Sequence, residues 1–276
     1  MQKRILFIIA LLTFQLHALN QEGVHHYVKQ HIEKKSNTPV LAIKTISTYP
    51  IEGANGWEVY FLSLDVEMKR GRSTKVRTIS KIAFTKGNKL AFSLKDKSGK
   101  DYKKILKPNV PLEAYNDEHL LVGNKNAKHK ILLLSDPFCP FCQEITPQLI
   151  DDVKAHPDTF ALYYYHLPLL RIHPASDTAT RAMLIFQKRG EIEHLKDMYH
   201  LLVNPRELNA DVVLKAIKEK TGVLIKRVDI YTDEINRALA KDKALKKRLM
   251  VTGTPTIFID GKWDPTRMAY KDYIKK

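Results

Sequence analysis

The sequence predicts an α+β chain of two modules, on three observations. Residues 20–97 carry one helical repeat of apolar residues followed by alternating strands. Residues 98–119, with Gly99, Pro108, Pro111 and several charges, break that pattern and are assigned as a linker. Residues 120–276 then run β-α-β, a helical insertion at about 175–250, and a final β and α. The 276 residues suffice for two modest domains that each bury a core. Apolar residues at 44% and charged residues at 28%, with only 11 Gly and 13 Pro, exclude a collagenous or largely disordered chain.

The first element is short. Lys3 and Arg4 precede the apolar run Ile5 to Leu12, too short to span a bilayer comfortably, so residues 1–18 are expected to be a secretory signal peptide cleaved after Ala18. An uncleaved anchor is the alternative. No run of 18 apolar residues occurs, which excludes a polytopic membrane protein. Next, Gly23 to Lys35 places Val24, Tyr27, Val28 and Ile32 near helical spacing. Strands are expected from Val40, from Trp57 to Met68 with Trp57, Val59 and Phe61 alternating against Glu58, Tyr60 and Leu62, and in two segments joined by a Lys86-Gly87-Asn88 hairpin turn. In the second module, Leu120 to Val122 and Lys130 to Leu134, whose ILLL run is uninterrupted, read as strands, the latter buried and central. A helix from Gln143 to about Ala155 and a strand from Phe160 to Leu167 follow. The insertion is helical with breaks at Gly190, Asn204-Pro205 and Gly222. A strand at Thr256 to Ile259 and a terminal helix from about Met268 complete the order.

Net charge is +16, and loss of Lys3 and Arg4 with the signal leaves +14. Such an excess raises nucleic acid or an acidic membrane surface as partners. An exported protein meets little nucleic acid, and the Lys-rich runs Lys218 to Lys220 and Lys243 to Arg248 fit solvated helix faces. No nucleic-acid partner is therefore expected.

The only cysteines are Cys139 and Cys142, in Asp136-Pro137-Phe138-Cys139-Pro140-Phe141-Cys142 after the central strand. Disulfide exchange needs a thiolate and a second thiol to resolve the mixed disulfide. With Cys139 at the first helical position, the helix N-terminus favours its thiolate, and Cys142 falls one turn on, about 5–6 Å away, within disulfide reach. Pro140 suits a helix start, and the neutral Phe141 adds no charge. A structural disulfide would close too short a loop to gain much. A zinc site would draw its other ligands from eleven scattered histidines, so no metal is expected; His25, His26, His166 and His173 are read as surface or core residues. A second motif, Gly253-Thr254-Pro255, opens the strand at Thr256.

Taken together, the strand into DPFCPFC, Pro147 in the following helix, the long helical insertion and the Gly-Thr-Pro before a strand resemble the thioredoxin-fold disulfide oxidoreductases of the bacterial periplasm. The resemblance is to the DsbC and DsbG type, with DsbA-like features in LVGNKNAKHKILLLSDPFCPFC. It implies a thioredoxin fold preceded by a cystatin-like dimerisation domain, with Cys139 the exposed nucleophile, Cys142 the resolving thiol and Pro255 a cis-proline. Thr254 would pair with an extended substrate peptide. It further implies no cofactor, a homodimer, clients that are unfolded or misoxidised exported proteins, and a membrane redox partner, DsbD-like for an isomerase or reductase and DsbB-like for an oxidase. Asp136 could be a buried proton acceptor or a helix cap. A chaperone that binds unfolded chains in the dimer cleft and a metal-delivery role are the alternatives.

Overall fold

The computed structural model describes residues 19–71 and 73–274; the expected signal peptide, residues 1–18, lies outside them. The chain divides into two compact units, Met1–Lys104 and Ile105–Lys276.

In the first unit, α1 (Gln21–Ser36) starts at Asn20, whose side chain accepts from the Gly23 N–H, and stops at Asn37 in the left-handed region. Val24, Val28 and Ile32 are buried, but Tyr27, expected on the same face, is 47% exposed. The stripe is narrower than the spacing implied. Antiparallel strands β1 (Val40–Pro50), β2 (Glu58–Arg70), β3 (Ser73–Lys86) and β4 (Lys89–Ala91) follow in spatial order 1-2-3-4. Tyr60, Leu62 and Leu64 of β2 join the three α1 residues in one cluster, while Val59 and Phe61 are also fully buried. The alternation in β2 therefore marks two apolar faces, not one apolar and one wet. The hairpin turn falls at Gly87-Asn88, with Lys86 opposite Lys89. β4 is shorter than expected because the chain folds back on itself at once: Lys95 bridges Asp101, and the Tyr102 N–H bonds the Leu94 carbonyl.

A short helix α2 (Tyr102–Ile105) and a 3-10 turn at Leu112–Ala114 occupy much of the expected linker. Val110 and Ala114 pack in a core cluster of the second unit, and the Val110 N–H bonds the Gly261 carbonyl.

The second unit is a five-stranded sheet in spatial order β5-β7-β6-β8-β9, built from β5 (Leu120–Gly123), β6 (His129–Ser135), β7 (Phe160–His166), β8 (Thr256–Ile259) and β9 (Lys262–Asp264). Only β6 and β7 run parallel, joined through α3 (Pro140–Ala155) in the crossover that parallel strands require. Alternation in β6 divides the core: Ile131 and Leu133 face a cluster with α3 and α4 (Ser176–Arg189). Leu132 and Leu134 face Leu245 and Leu249 at the end of α8 (Asp233–Arg248). This is the thioredoxin fold with a helical insertion, the central strand buried on both faces as its apolar run requires.

Between α4 and α8 the insertion holds α5 (Ile192–Asp197), α6 (Ala210–Thr221) and α7 (Arg227–Ile230). Gly190 and Gly222 end α4 and α6 in the left-handed conformation. The helix expected to run through Val203 instead tightens after α5 into a 3-10 turn, Met198–His200, that buries Met198 and Tyr199. The final helix α9 (Lys271–Ile274) starts later than expected. Asp264 accepts from the Thr266 and Ala269 N–H groups and holds the intervening chain in a turn.

Gly123 ends β5 at φ +88°, and a Cβ there would lie 2.1 Å from the Phe160 carbonyl oxygen of the neighbouring strand. Gly123→Ala is expected to cost on the order of 3–5 kcal/mol, read as a lowered urea midpoint at unchanged slope.

Candidate active site

The motif lies where β6 turns into α3. Pro140 occupies the first helical turn and fixes φ there, so Cys139 becomes the N-cap rather than the first helical residue. Its carbonyl accepts from the Cys142 and Gln143 N–H groups at 2.8 and 3.0 Å, while Cys142 sits one turn on, inside the core. Both cysteines are free thiols.

Their environments differ. Cys139 is 6% exposed and Cys142 fully buried, so the expected nucleophile is more enclosed than the resemblance implies. The Cys139 thiol donates to the Thr254 carbonyl at 3.3 Å. The Cys142 thiol, the Thr254 hydroxyl and the Cys142 and Phe141 N–H groups, in falling order, stabilise the Cys139 thiolate against the cost of burial, bringing its pKa from 9.0 to about 5. Thr254 Oγ1 is buried without a hydrogen-bond partner among the described residues, and is therefore free to bond the thiolate. Cys142 moves the opposite way: burial, then the hydrogen bond to Cys139, push its thiol well above the ordinary range. The two thiols are thus biased in opposite directions, Cys139 toward the thiolate and Cys142 toward the protonated form. Iodoacetamide is expected to alkylate reduced Cys139 with a midpoint near pH 5 and to spare Cys142 until the protein is unfolded, which peptide mass mapping reads directly.

Thr254 and Pro255 face the motif from the loop before β8, joined by a cis peptide bond. Pro140 and Phe141 project away from the core: Phe141 is 57% exposed, with the Arg267 guanidinium 5.2 Å above its ring. Asp136 is fully buried. One carboxylate oxygen accepts from the Phe138 N–H and the Ser176 hydroxyl at 2.8 and 2.7 Å. The other takes the Leu169 N–H at 2.7 Å and faces His173 Nδ1 at 3.2 Å. Asp136 therefore clamps the motif to the loop after β7, whose Leu170 and Ile172 are exposed. His166 bonds Gln187 at 2.9 Å and His25 bonds Thr45 at 2.7 Å. Among the described residues, no three His, Cys, Asp or Glu side chains converge as a metal site would require.

Sequence reasoning missed a group of hydroxyls beneath Cys142. Ser135, the last residue of β6, accepts from the Tyr199 hydroxyl at 2.7 Å and lies 3.1 Å from the Thr146 hydroxyl. Tyr199 in turn lies 2.5 Å from the Tyr164 hydroxyl. All four residues are buried. Only Ser135, next to the motif, carried a local signal.

A family model described as DSBA-like thioredoxin domain matches residues 130–270. Among solved structures, the catalytic domain of Proteus mirabilis ScsC is 23% identical, over 59% of this chain and 90% of that one, at a TM-score of 0.47. BdbD from Bacillus subtilis, in its oxidised form, is 15% identical over 62% and 94%, at 0.47. Among curated proteins, a Na(+)/H(+) antiporter NhaA 1 of Mycolicibacterium gilvum is 27% identical over 172 residues, 58% of this chain and 26% of the relative. The chain spans about a quarter of the length of the curated relatives it matches. No helix among the described residues is long and apolar enough to cross a membrane.

Proposed function

Because the chain belongs to the DSBA-like thioredoxin domain family, we propose that it is an exported, periplasmic thiol:disulfide oxidoreductase acting through Cys139 and Cys142. The observation that carries this reading is the placement of the two thiols, Cys139 as N-cap of α3 against the Thr254 carbonyl of the cis-proline loop and Cys142 one turn on in the core, with the first thiol lowered to about 5 and its neighbour raised by burial. Exchange needs that division of labour. With the pair oxidised, a substrate thiolate attacks Cys139 Sγ and the Cys139–Cys142 bond breaks, leaving its electron pair on Cys142, which takes up a proton. A second substrate thiolate then attacks the substrate sulfur of the mixed disulfide and releases Cys139 as thiolate. The substrate leaves oxidised and the enzyme reduced. Thr254 supports the substrate side, because its backbone borders the nucleophile and suits an extended peptide.

A low nucleophile pKa makes Cys139 a good leaving group and stabilises the reduced enzyme, so the pair is a strong oxidant. We therefore favour the oxidase direction, with a DsbB-like membrane partner reoxidising the pair and unfolded exported proteins as substrates. The isomerase or reductase direction, of DsbC or DsbG type and served by a DsbD-like partner, draws its support from the first unit: one helix on an antiparallel sheet fits a cystatin-like dimerisation domain. The exposure of Phe141, Leu170 and Ile172 favours a further reading, a chaperone holding unfolded exported chains.

Equilibration in glutathione buffers, with alkylation trapping of the pair directly from cells, tests this. A potential near that of strong oxidants and a protein found oxidised establish the oxidase; a protein kept reduced assigns it to isomerase or reductase work. Absence of reversible exchange removes the enzyme reading. Aggregation suppression by a variant with serine at both cysteines would then support the chaperone.

A further inference from the structure

Among the described residues no cation figures in the surroundings that act on the Cys142 thiol, yet it must carry negative charge whenever the Cys139–Cys142 bond forms or breaks. Bare burial of a thiolate is costly. Thr146, one helical turn after Cys142 on the buried face of α3, lies 3.1 Å from Ser135 Oγ and so sets that hydroxyl on the Cys142 side of the helix; with the Asp136 backbone N–H, the Ser135 side chain favours charge on the sulfur. Ser135 is itself the end of a chain of hydroxyls. Tyr199 donates to Ser135 Oγ at 2.7 Å, and Tyr164 meets Tyr199 at 2.5 Å.

The proton count along this chain has a direction. Burial raises both phenols far above neutral pH, so each keeps its one proton. Tyr199 spends its proton on Ser135, and its own oxygen is then left to accept from Tyr164. Ser135 has accepted, so its proton is free for Thr146 or for the sulfur. A hydroxyl that accepts a bond is polarised into a better donor. Thr146, 3.1 Å from Ser135, has a proton of its own to turn toward Ser135 Oγ. Every hydroxyl can thus be satisfied with the Ser135 proton on Cys142.

Resting on the thiol:disulfide reading above, we propose that Ser135 is a catalytic residue that donates to Cys142 Sγ as charge develops there, and that Tyr199 and Tyr164 are positioning residues that aim and polarise its hydroxyl. In the reducing direction the Cys142 sulfur bonds Cys139 Sγ and its thiol proton passes to the departing substrate sulfur. The Cys139–substrate bond breaks and its electron pair leaves on the substrate sulfur, which takes up that proton. The enzyme is oxidised and the substrate reduced. In the oxidising direction the same donor stabilises Cys142 as leaving group. The arrangement therefore tunes the resolving step without touching attack by Cys139.

Single-turnover reaction of the reduced 276-residue chain with glutathione disulfide separates the steps. Cys139 first forms the glutathione adduct, and Cys142 then closes the pair and expels glutathione; acid quench and mass analysis count each species. Ser135→Ala is expected to slow the second step about tenfold, the loss of one hydrogen bond to a charged group, and to shift its pH midpoint upward. The Cys139 alkylation midpoint should not move. Tyr199→Phe, which keeps the ring and removes the hydroxyl that donates to Ser135 and accepts from Tyr164, is expected to give a smaller slowing and a shift of the same sign; it carries the test if Ser135→Ala does not fold. An unmoved second step in Tyr199→Phe, or equal slowing of both steps in either variant as a merely structural role would give, overturns the proposal while leaving exchange intact. A wild-type chain that forms no adduct at Cys139 overturns the exchange reading and this proposal with it.

Discussion

Cys139→Ser is expected to abolish disulfide exchange, by about 10³-fold or more, whereas Cys142→Ser is expected to retain attack and accumulate a mixed disulfide at Cys139. Nonreducing electrophoresis of the two variants with an unfolded client reads both outcomes. The asymmetry follows from the pKa split. At neutral pH Cys139, at about 5, is almost wholly thiolate, and Cys142 wholly thiol. The same split fixes how the reduced protein responds to pH. Between about pH 5 and 9 the unfolded chain holds a proton on Cys139 that the folded chain has released, so stability rises with pH through this window. That contribution is fully present above the unfolded value and is lost as pH falls through 5. Above 9 the buried Cys142 keeps a proton that the unfolded chain gives up, and stability turns down again. Cys139→Ser should remove the rising limb and leave the alkaline decline. Urea titrations of the reduced protein at pH 4, 7 and 10 test the sign. Equal stability of wild type and Cys139→Ser at pH 4, with a wild-type advantage at pH 7, is the expected pattern.

What could be read from the sequence was local. The apolar run of β6 announced a central strand because both of its faces are covered, and the Cys139–Cys142 spacing announced a thiol pair because one helical turn brings them together. Tyr27 and the alternation in β2 misled, since apolar spacing alone does not tell how wide the covered face is, or whether the other face is also covered. Cys139 as N-cap was missed by one position, although Pro140 at the first helical turn is the residue that fixes it. The rest of the site is non-local. Ser135 meets Tyr199 across 64 positions, and Asp136 meets Leu169, His173 and Ser176 across 33 to 40. No periodicity links such residues; only the fold does.

Asp136 was legible as an acid beside the motif, with two roles open, and its contacts decide what it does. A proton acceptor for Cys142 needs a free carboxylate oxygen, and here both oxygens are engaged by the Phe138 and Leu169 N–H groups, the Ser176 hydroxyl and His173. Taking a proton would mean giving up one of those donors in a site with no water access, since the residue is fully buried. The carboxylate is a clamp. Asp136→Ala is expected to leave at least two backbone N–H groups without partners and to destabilise the second unit by about 3–5 kcal/mol, seen as a drop in the urea midpoint. Asp136→Asn keeps one accepting oxygen and turns an NH2 group toward the other donors. Ser176 can reverse and accept from it, but the Phe138 or Leu169 N–H cannot, so the loss should be intermediate. The two roles separate in the kinetics. A clamp predicts that Asp136→Asn slows attack by Cys139 and resolution by Cys142 alike, because the whole motif loses its anchor to the loop at Leu169. A proton acceptor predicts that only resolution slows, with its pH profile displaced. Selective loss of the second step in Asp136→Asn, with stability unchanged, would return the acid to that role.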